Sequence, residues 1–440
     1  MISRLLLVAT LVTSSSAVVT PDRSTVRARP CIKSLAVTPP RGQELLAQAQ
    51  GPTPLVPEVL AGVAVALASI PTSVAFASIA GVEPLVGVWS FVVLGLVAPL
   101  LGGRPGVIMG AAGVVVVPLA PLIKAHGVKA MAPCLLVAAA LEAAFGVLKL
   151  GKLIDLVSPA VMAGFLNGLG GLLGKSQLGV FSGAPAPRAA LAVAAVCAAL
   201  VQLLPMLTKA VPSSLAGLAL ASAAGAAARL PLATLASTAA PGTFAGGLSS
   251  LPSWSGLPDL SPRLLLAVLP TAGSIALICL LETLLAAKVM DDEAGPPAGG
   301  ADPDRACTAM AAGTALSAAL GGFGGCGLIP QTLLNLKSGG KGTASSVASA
   351  GAMALLIVAL APLVGRISRA ALAGLMLTVA FGTVQWQPAL KLLRGAAAKD
   401  DIPACAAMLV ASVVCFKVDM AAGIVLGVAV ERALQKVFSK

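Results

Sequence analysis

The chain has 440 residues, 58% of them hydrophobic and 10% charged, and its mean hydropathy of +0.97 excludes an ordinary soluble domain. The net charge of +12 does not make it a nucleic-acid binder, because its Lys and Arg stand singly between apolar runs, as loop and interface anchors, and it has no Tyr and only 3% aromatics for stacking on bases. One histidine, His126, and eight cysteines with no CxxC or metal-ligand spacing give no metal centre, cofactor site or catalytic triad, so an enzyme is not expected.

Residues 1–50 open with Arg4, an apolar run from Leu5 to Val12 and a small-residue SSSA stretch. Arg23, Arg27, Arg29 and Lys33 then face a single acid, Asp22. This pattern fits a targeting leader, of the two-part plastid kind, or an unstructured basic cytosolic tail. The membrane is accordingly the chloroplast envelope or the plasma membrane.

From Leu55 onward, apolar runs predict helical segments near 55–80, 84–101, 108–124, 128–150, 155–175, 188–206 and 212–229. A Pro-, Gly- and Ser-rich connecting loop, 230–263, separates them from a second set near 264–290, 305–321, 327–337, 345–364, 368–385, 402–416 and 419–437. The expected fold is an all-α polytopic membrane protein of about 14 segments in a domain over 55–437, with repeats over 55–229 and 264–437. An even number of segments puts both ends of this domain on one side, and Arg432, Lys436 and Lys440 favour the cytosolic or stromal face.

Two segments are too short to cross a bilayer. GGRPGVIMGAAG, Gly102 to Gly113, and GGFGGCGLIPQTLLNLKSGGKG, Gly321 to Gly342, each place glycine pairs before a short apolar run. A half-helix leaves its first N–H groups unpaired, which lipid tolerates only where they face a cavity or ligand, and the ligand they favour is an anion. Downstream of each lies a second matched pair, SPAVMAG (Ser158 to Gly164) and SRAALAG (Ser368 to Gly374), in the same order. Interrupted segments at corresponding places in two halves mark a repeat-built secondary transporter with its site where the broken helices meet.

The chain resembles the SulP family of anion permeases, which includes sulfate permeases and the SLC26 exchangers, from about Pro57 to its end. The resemblance is carried by PEVLAGVAVALASIPTSVAFASIAGVEPLVG (Pro57 to Gly87), the two glycine-rich stretches, SPAVMAGFLNGL (Ser158 to Leu169) and LLETLLAAKVMDD (Leu280 to Asp292). It implies the uracil-permease-like fold of two inverted seven-segment repeats, with a core of segments 1 to 4 and 8 to 11 and a gate of 5 to 7 and 12 to 14. It also implies an anion held between the starts of segments 3 and 10 and an elevator-like movement of core against gate. Carried onto this sequence, the site comprises Ile108, Met109, Gly110 and Ala111 with Gly327, Leu328, Ile329, Pro330 and Gln331, joined by Thr72 from segment 1 and, for coupling, Glu282 from segment 8. Sulfate is the leading substrate, with bicarbonate, nitrate, a dicarboxylate or another oxyanion open. Proton or sodium is the coupling ion, a homodimer is compatible, and no STAS domain is expected after the last segment.

The chain departs from its relatives at Met109 and Ala112, where many carry Ser or Thr, at Gln331, where exchangers often carry Arg, and at Thr72, where near relatives often carry an acid. These depleted donors keep open a scaffold or sensor that retained the fold and lost transport. Charge counting bears on coupling. Two helix N-termini offer roughly half a positive charge each, about one of the two negative charges on sulfate. With Gln331 uncharged, Glu282 is expected to be protonated when a divalent anion binds. Glu142, Asn167 and the acidic loop Asp291 to Asp304 are read as structural, Asn167 as an interhelical hydrogen bonder, and Lys337 and Lys341 as either entrance charges or interface anchors.

Overall fold

The computed structural model describes residues 54–151, 156–207, 212–239, 241–245, 261–297, 302–386 and 402–438. The expected leader, and residues 240 and 246–260 of the expected connecting loop, lie outside these. The first half contains α1 (Leu55–Ala80), α2 (Pro84–Leu101), α3 (Gly113–His126), α4 (Met131–Val147), α5 (Pro159–Ser182), α6 (Pro187–Leu207) and α7 (Ser213–Ala227). The second contains α8 (Pro262–Ala294), α9 (Pro303–Ala319), α10 (Ile329–Lys337), α11 (Thr343–Gly365), α12 (Arg369–Thr383), α13 (Ile402–Lys417) and α14 (Met420–Phe438). Two short strands, β1 (Met109–Gly110) and β2 (Cys326–Gly327), precede α3 and α10.

Helix ends follow local chemistry. Pro84, Pro159, Pro262 and Pro303 stand in the first turns of α2, α5, α8 and α9, where a missing N–H costs nothing, and Gly81 and Gly102 close α1 and α2 in the left-handed conformation. The helix α5 runs on to Ser182, beyond the apolar run expected to end near 175, because Lys175, Ser176 and Gln177 lower hydropathy without interrupting helical hydrogen bonding. By length and composition, six helical stretches among the described residues can cross a membrane: α1, α2, Val128–Val147 containing α4, α6, α8 and α11.

The packing is reciprocal between the halves. Where α1 packs on α11, α8 packs on α4; α2 on α11 is matched by α9 on α4, α5 on α13 by α12 on α6, and α1 on α7 by α8 on α14. Each pair maps to the other by advancing seven helices, which is the signature of a seven-helix repeat. The contacts also separate a core of α1–α4 and α8–α11 from a gate of α5–α7 and α12–α14.

The matched motifs have a common job. A side chain at Gly164 would run into the Met408 carbonyl and Ala411 of α13, and one at Gly374 would run into the Ala194 backbone of α6. Both glycines let gate helices approach backbone to backbone, at equivalent places in the two repeats.

Candidate functional site

The short segments meet at the centre of the core. β1 and β2 pair antiparallel, Met109 opposite Gly327 and Gly110 opposite Cys326. Because the strands run in opposite directions, α3 and α10 leave the crossing in opposite directions, with both N-termini beside it. Each short helix packs on both α1 and α8. Sequence reading expected regular half-helices from near Ile108 and Gly327, and the strand pair was not foreseen. Glycine-rich extended backbone must bond somewhere when buried, and here each broken segment is the other's partner.

Hydroxyls complete the crossing. The Gly327 N–H donates to Thr283 Oγ1 of α8 at 2.9 Å, the Ile108 N–H to Thr332 Oγ1 of α10 at 3.1 Å, and the Leu328 N–H to the Ile108 carbonyl at 2.8 Å. Asn335 Nδ2 donates to the Gly106 carbonyl and to Ser345 Oγ, while Ser346 Oγ donates to the Val107 carbonyl. Three backbone donors within the expected anion site are therefore engaged inside the protein. Among the described residues, the N–H groups of Gly113 and Val114 on α3 and of Ile329 and Gln331 on α10 make no hydrogen bond to protein. On the α3 side the helix itself starts only at Gly113, two residues beyond Ala111.

The expected side chains fall in different places. Ile108, Met109, Gly110, Ala111, Gly327 and Leu328 are buried at the crossing, Ile329 and Gln331 are half-buried, and Pro330 is exposed. Gly110 faces the Phe91 ring, and a Cβ on Gly327 would lie 2.9 Å from Thr283 Cα, so close packing of protein on protein already requires both glycines. Thr72 is half-buried in α1, one turn before Phe76, and its hydroxyl donates to the Ser69 carbonyl of its own helix at 3.0 Å. Glu282 is brought to the crossing: its Oε2 accepts a hydrogen bond from Cys326 Sγ of β2 at 3.0 Å.

Several residues that build the crossing had no sequence signal of their own. Glu58, 1% exposed, accepts from the N–H groups of Lys341, Gly342 and Ser345, and so caps α11 with a carboxylate from α1. Thr283 and Thr332 are isolated hydroxyls in apolar helices. The acidic loop is structural in its described part: Asp291 pairs with Arg104 at 2.8 Å, Asp302 caps α9, and Asp304 accepts the Gly151 N–H. Asn167 Oδ1 accepts the Gln385 N–H at 2.6 Å, tying α5 to the end of α12. Glu142 is fully buried in α4, with neither carboxyl oxygen hydrogen-bonded among the described residues.

Comparison with known proteins turns this geometry into a family assignment. Residues 55–238 and 237–407 match the sulfate permease family. The chain belongs to the sulfate permease family. Among curated relatives, the Bacillus subtilis (strain 168) protein named "Putative sulfate transporter YbaR" is 30% identical over 375 residues, 84% of this chain and 75% of that protein. The bicarbonate transporter BicA of Picosynechococcus sp. is 24% identical over 75% of this chain and 62% of its own length. The chain thus spans three quarters of the first of these permeases and less than two thirds of the second. Two solved structures show the permease fold. The transmembrane domain of a cyanobacterial BicA superposes with a TM-score of 0.71 at 23% identity, covering 85% of this chain and 95% of that one. Murine Solute Carrier 26 family member A9, in its inward-facing state, superposes with a TM-score of 0.71 at 15% identity, covering 96% of this chain and 77% of that one. With this fold, the chain is an integral membrane protein of two inverted seven-segment repeats.

Proposed function

We propose that this permease is a secondary active transporter of a small inorganic anion, with sulfate the leading substrate. The observation that carries the reading is the antiparallel β1–β2 crossing, from which two half-helices depart with their N-terminal ends beside one another. Free N–H groups of Gly113, Val114, Ile329 and Gln331 would receive the anion, with the positive ends of both helix dipoles behind them. The residues around them, Ile108 to Ala111, Gly327 to Pro330 and Thr72, would shape the site. The core, α1–α4 with α8–α11, would carry the bound anion past the gate.

Glu282 would act in coupling. It touches the crossing through Cys326 of β2, whose Sγ donates to its Oε2. A neutral Glu282 removes one like charge from the vicinity of a divalent anion, so proton coupling follows from charge balance, with sodium as the rival. The repeats are proposed as 55–229 and 264–437.

A bicarbonate substrate is the second reading. The observation favouring it is the coverage of 95% of the BicA transmembrane domain. One experiment separates the readings: uptake of radiolabelled sulfate and bicarbonate by proteoliposomes at two pH values, with and without a sodium gradient, against a panel of competing anions. Sulfate uptake accelerated on the acidic side supports the first reading, and sodium-dependent bicarbonate uptake supports the second. If no anion moves under any gradient, the protein is a scaffold or sensor.

A further inference from the structure

At the start of α10, position 331 is Gln and supplies no fixed positive charge, and Arg104, which lines a cavity with Met109, is neutralised by Asp291. Arg369, the first residue of α12, borders two adjoining cavities, the smaller on the seam between core and gate and the larger within the gate. One, of about 40 Å³, is lined by Ser78 of α1 and by Ser176 and Gln177 of α5. The other, of about 100 Å³, is lined by Gly183, Pro185, Leu232 and Ala233. The backbone of Arg369 is fixed by donation to the Ala233 carbonyl at 3.0 Å, and among the described residues no carboxylate pairs with its guanidinium.

The smaller cavity shares α1 and α5 with the packing around the start of α3. A Cβ on Gly113 would lie 3.2 Å from the Phe76 ring of α1 and 3.3 Å from a Leu173 methyl of α5. The smaller cavity is lined by Ala75, Ser78 and Ile79 on α1 and by Ser176, Gln177 and Val180 on α5, within about one helical turn, a step of about 5 Å, of Phe76 and Leu173. An anion in the cavity would therefore stand one helical turn from the N-terminus of α3. Arginine suits an oxyanion, because its planar fork of five donors matches two oxygens at once; the Ser78 and Ser176 hydroxyls donate to the Val74 and Leu173 carbonyls of their own helices, while Gln177 Nε2, which donates to Ser176 Oγ at 2.8 Å, has a second N–H to offer.

We propose that Arg369, with Ser78, Ser176 and Gln177, forms a second anion station on the core–gate seam, which holds a small inorganic oxyanion on its way to or from the half-helix site. The proposal rests on the anion-transporter reading and deepens it. The station supplies the fixed charge that Gln331 does not. It also includes side chains from both moving parts, α1 of the core and α5 and α12 of the gate, so its geometry changes when one slides on the other. Lys175, next to the cavity, is different: it is exposed, with Nζ 5.6 Å from the Phe416 ring, as an interface anchor would be.

The test reads local potential and occupancy without turnover. Val180→Cys places a thiol in the wall of both cavities, and its labelling rates with an anionic and a cationic methanethiosulfonate reagent are compared, with the parent chain as background. Adding Arg369→Gln is expected to lower the anionic-to-cationic rate ratio about tenfold, while Arg369→Lys restores most of it and Lys175→Gln changes it little. Sulfate or bicarbonate is expected to slow labelling when position 369 is Arg but not when it is Gln. An unchanged ratio in Arg369→Gln overturns the proposal, as does a lowered ratio with no protection by either anion. Protection without uptake in the proteoliposome assay would refute transport and leave the station standing, whereas uptake without protection would do the reverse. If Arg369→Gln does not fold, the comparison of Arg369 with Arg369→Lys under each anion still decides occupancy.

Discussion

Replacing Thr283 with Val tests whether hydroxyls hold the crossing of the broken helices. The swap keeps the branched shape and removes one oxygen, which accepts the Gly327 N–H at 2.9 Å and donates to Met310 Sδ. Thr283 is 4% exposed and Gly327 is buried, so the orphaned N–H is left inside the protein. Interhelical hydrogen bonds in membranes average about 0.6 kcal/mol, because their partners usually find substitutes. A buried N–H without a substitute costs about 1–3 kcal/mol, and this range applies here. Thr332→Val, which orphans the Ile108 N–H, is expected to cost a similar amount. A cost of that size lowers Tm by about 2–4 °C per kcal/mol in a domain of 150–250 residues and by less in a larger one. Thermal unfolding in detergent measures this, with Thr283→Ser as the variant that keeps the hydroxyl and stays near the parent. Both valine changes alter the same strand pair, so their effects are expected to be non-additive by more than about 0.5 kcal/mol. Parental Tm and normal anion uptake in both valine variants would mean that the hydroxyls do not hold the crossing.

Glu58→Ala removes the acceptor for three backbone donors at the start of α11. It is expected to destabilise by about 2 kcal/mol or more, with Glu58→Gln intermediate, read as a fall in Tm. Gly327→Val puts a side chain against Thr283 Cα and is expected to lower the folded yield as well as uptake; a well-folded, fully active variant would contradict the tight crossing. Glu282→Gln imitates the neutral acid and should retain uptake of a divalent anion while abolishing its acceleration at acidic pH. A pH profile identical to that of the parent would exclude Glu282 as the coupling group. Ser274→Ala removes the 3.0 Å hydrogen bond from α8 of the core to Asp419 at the start of α14 in the gate, and is expected to change the maximal uptake rate more than KM.

The repeat architecture was legible because its physical causes are local. A bilayer demands long apolar runs, so the order and approximate limits of the helices follow from hydropathy alone. Broken segments demand glycine, so both appear in the sequence as glycine pairs before runs too short to span. Gly164 and Gly374 report their role even in isolated motifs, since a bare backbone face is what close helix packing requires. Glu282 was legible for a similar reason: a lone carboxylate in an apolar helix is costly wherever it points.

What the tertiary structure decided is which buried polar groups satisfy one another. Ile108 and Gly327 are 219 residues apart in sequence numbering, and nothing local says that their segments pair as strands, or that the N–H groups expected to face an anion would be met by Thr283 and Thr332. Thr72 read as a site donor, and it sits one turn after Ser69, whose carbonyl accepts a hydrogen bond from its hydroxyl. Glu58 read as part of an apolar motif, yet its partners come from the far end of the second repeat. Arg369 read only as part of a matched motif, until α1, α5 and α12 enclosed cavities beside it. Hydropathy and glycine spacing constrain each segment separately, and through them the sequence determined the helices, the breaks and the two-fold plan. The free donors, the capped ends and the placement of charge depend on contacts between segments hundreds of residues apart, and only the folded chain selects them.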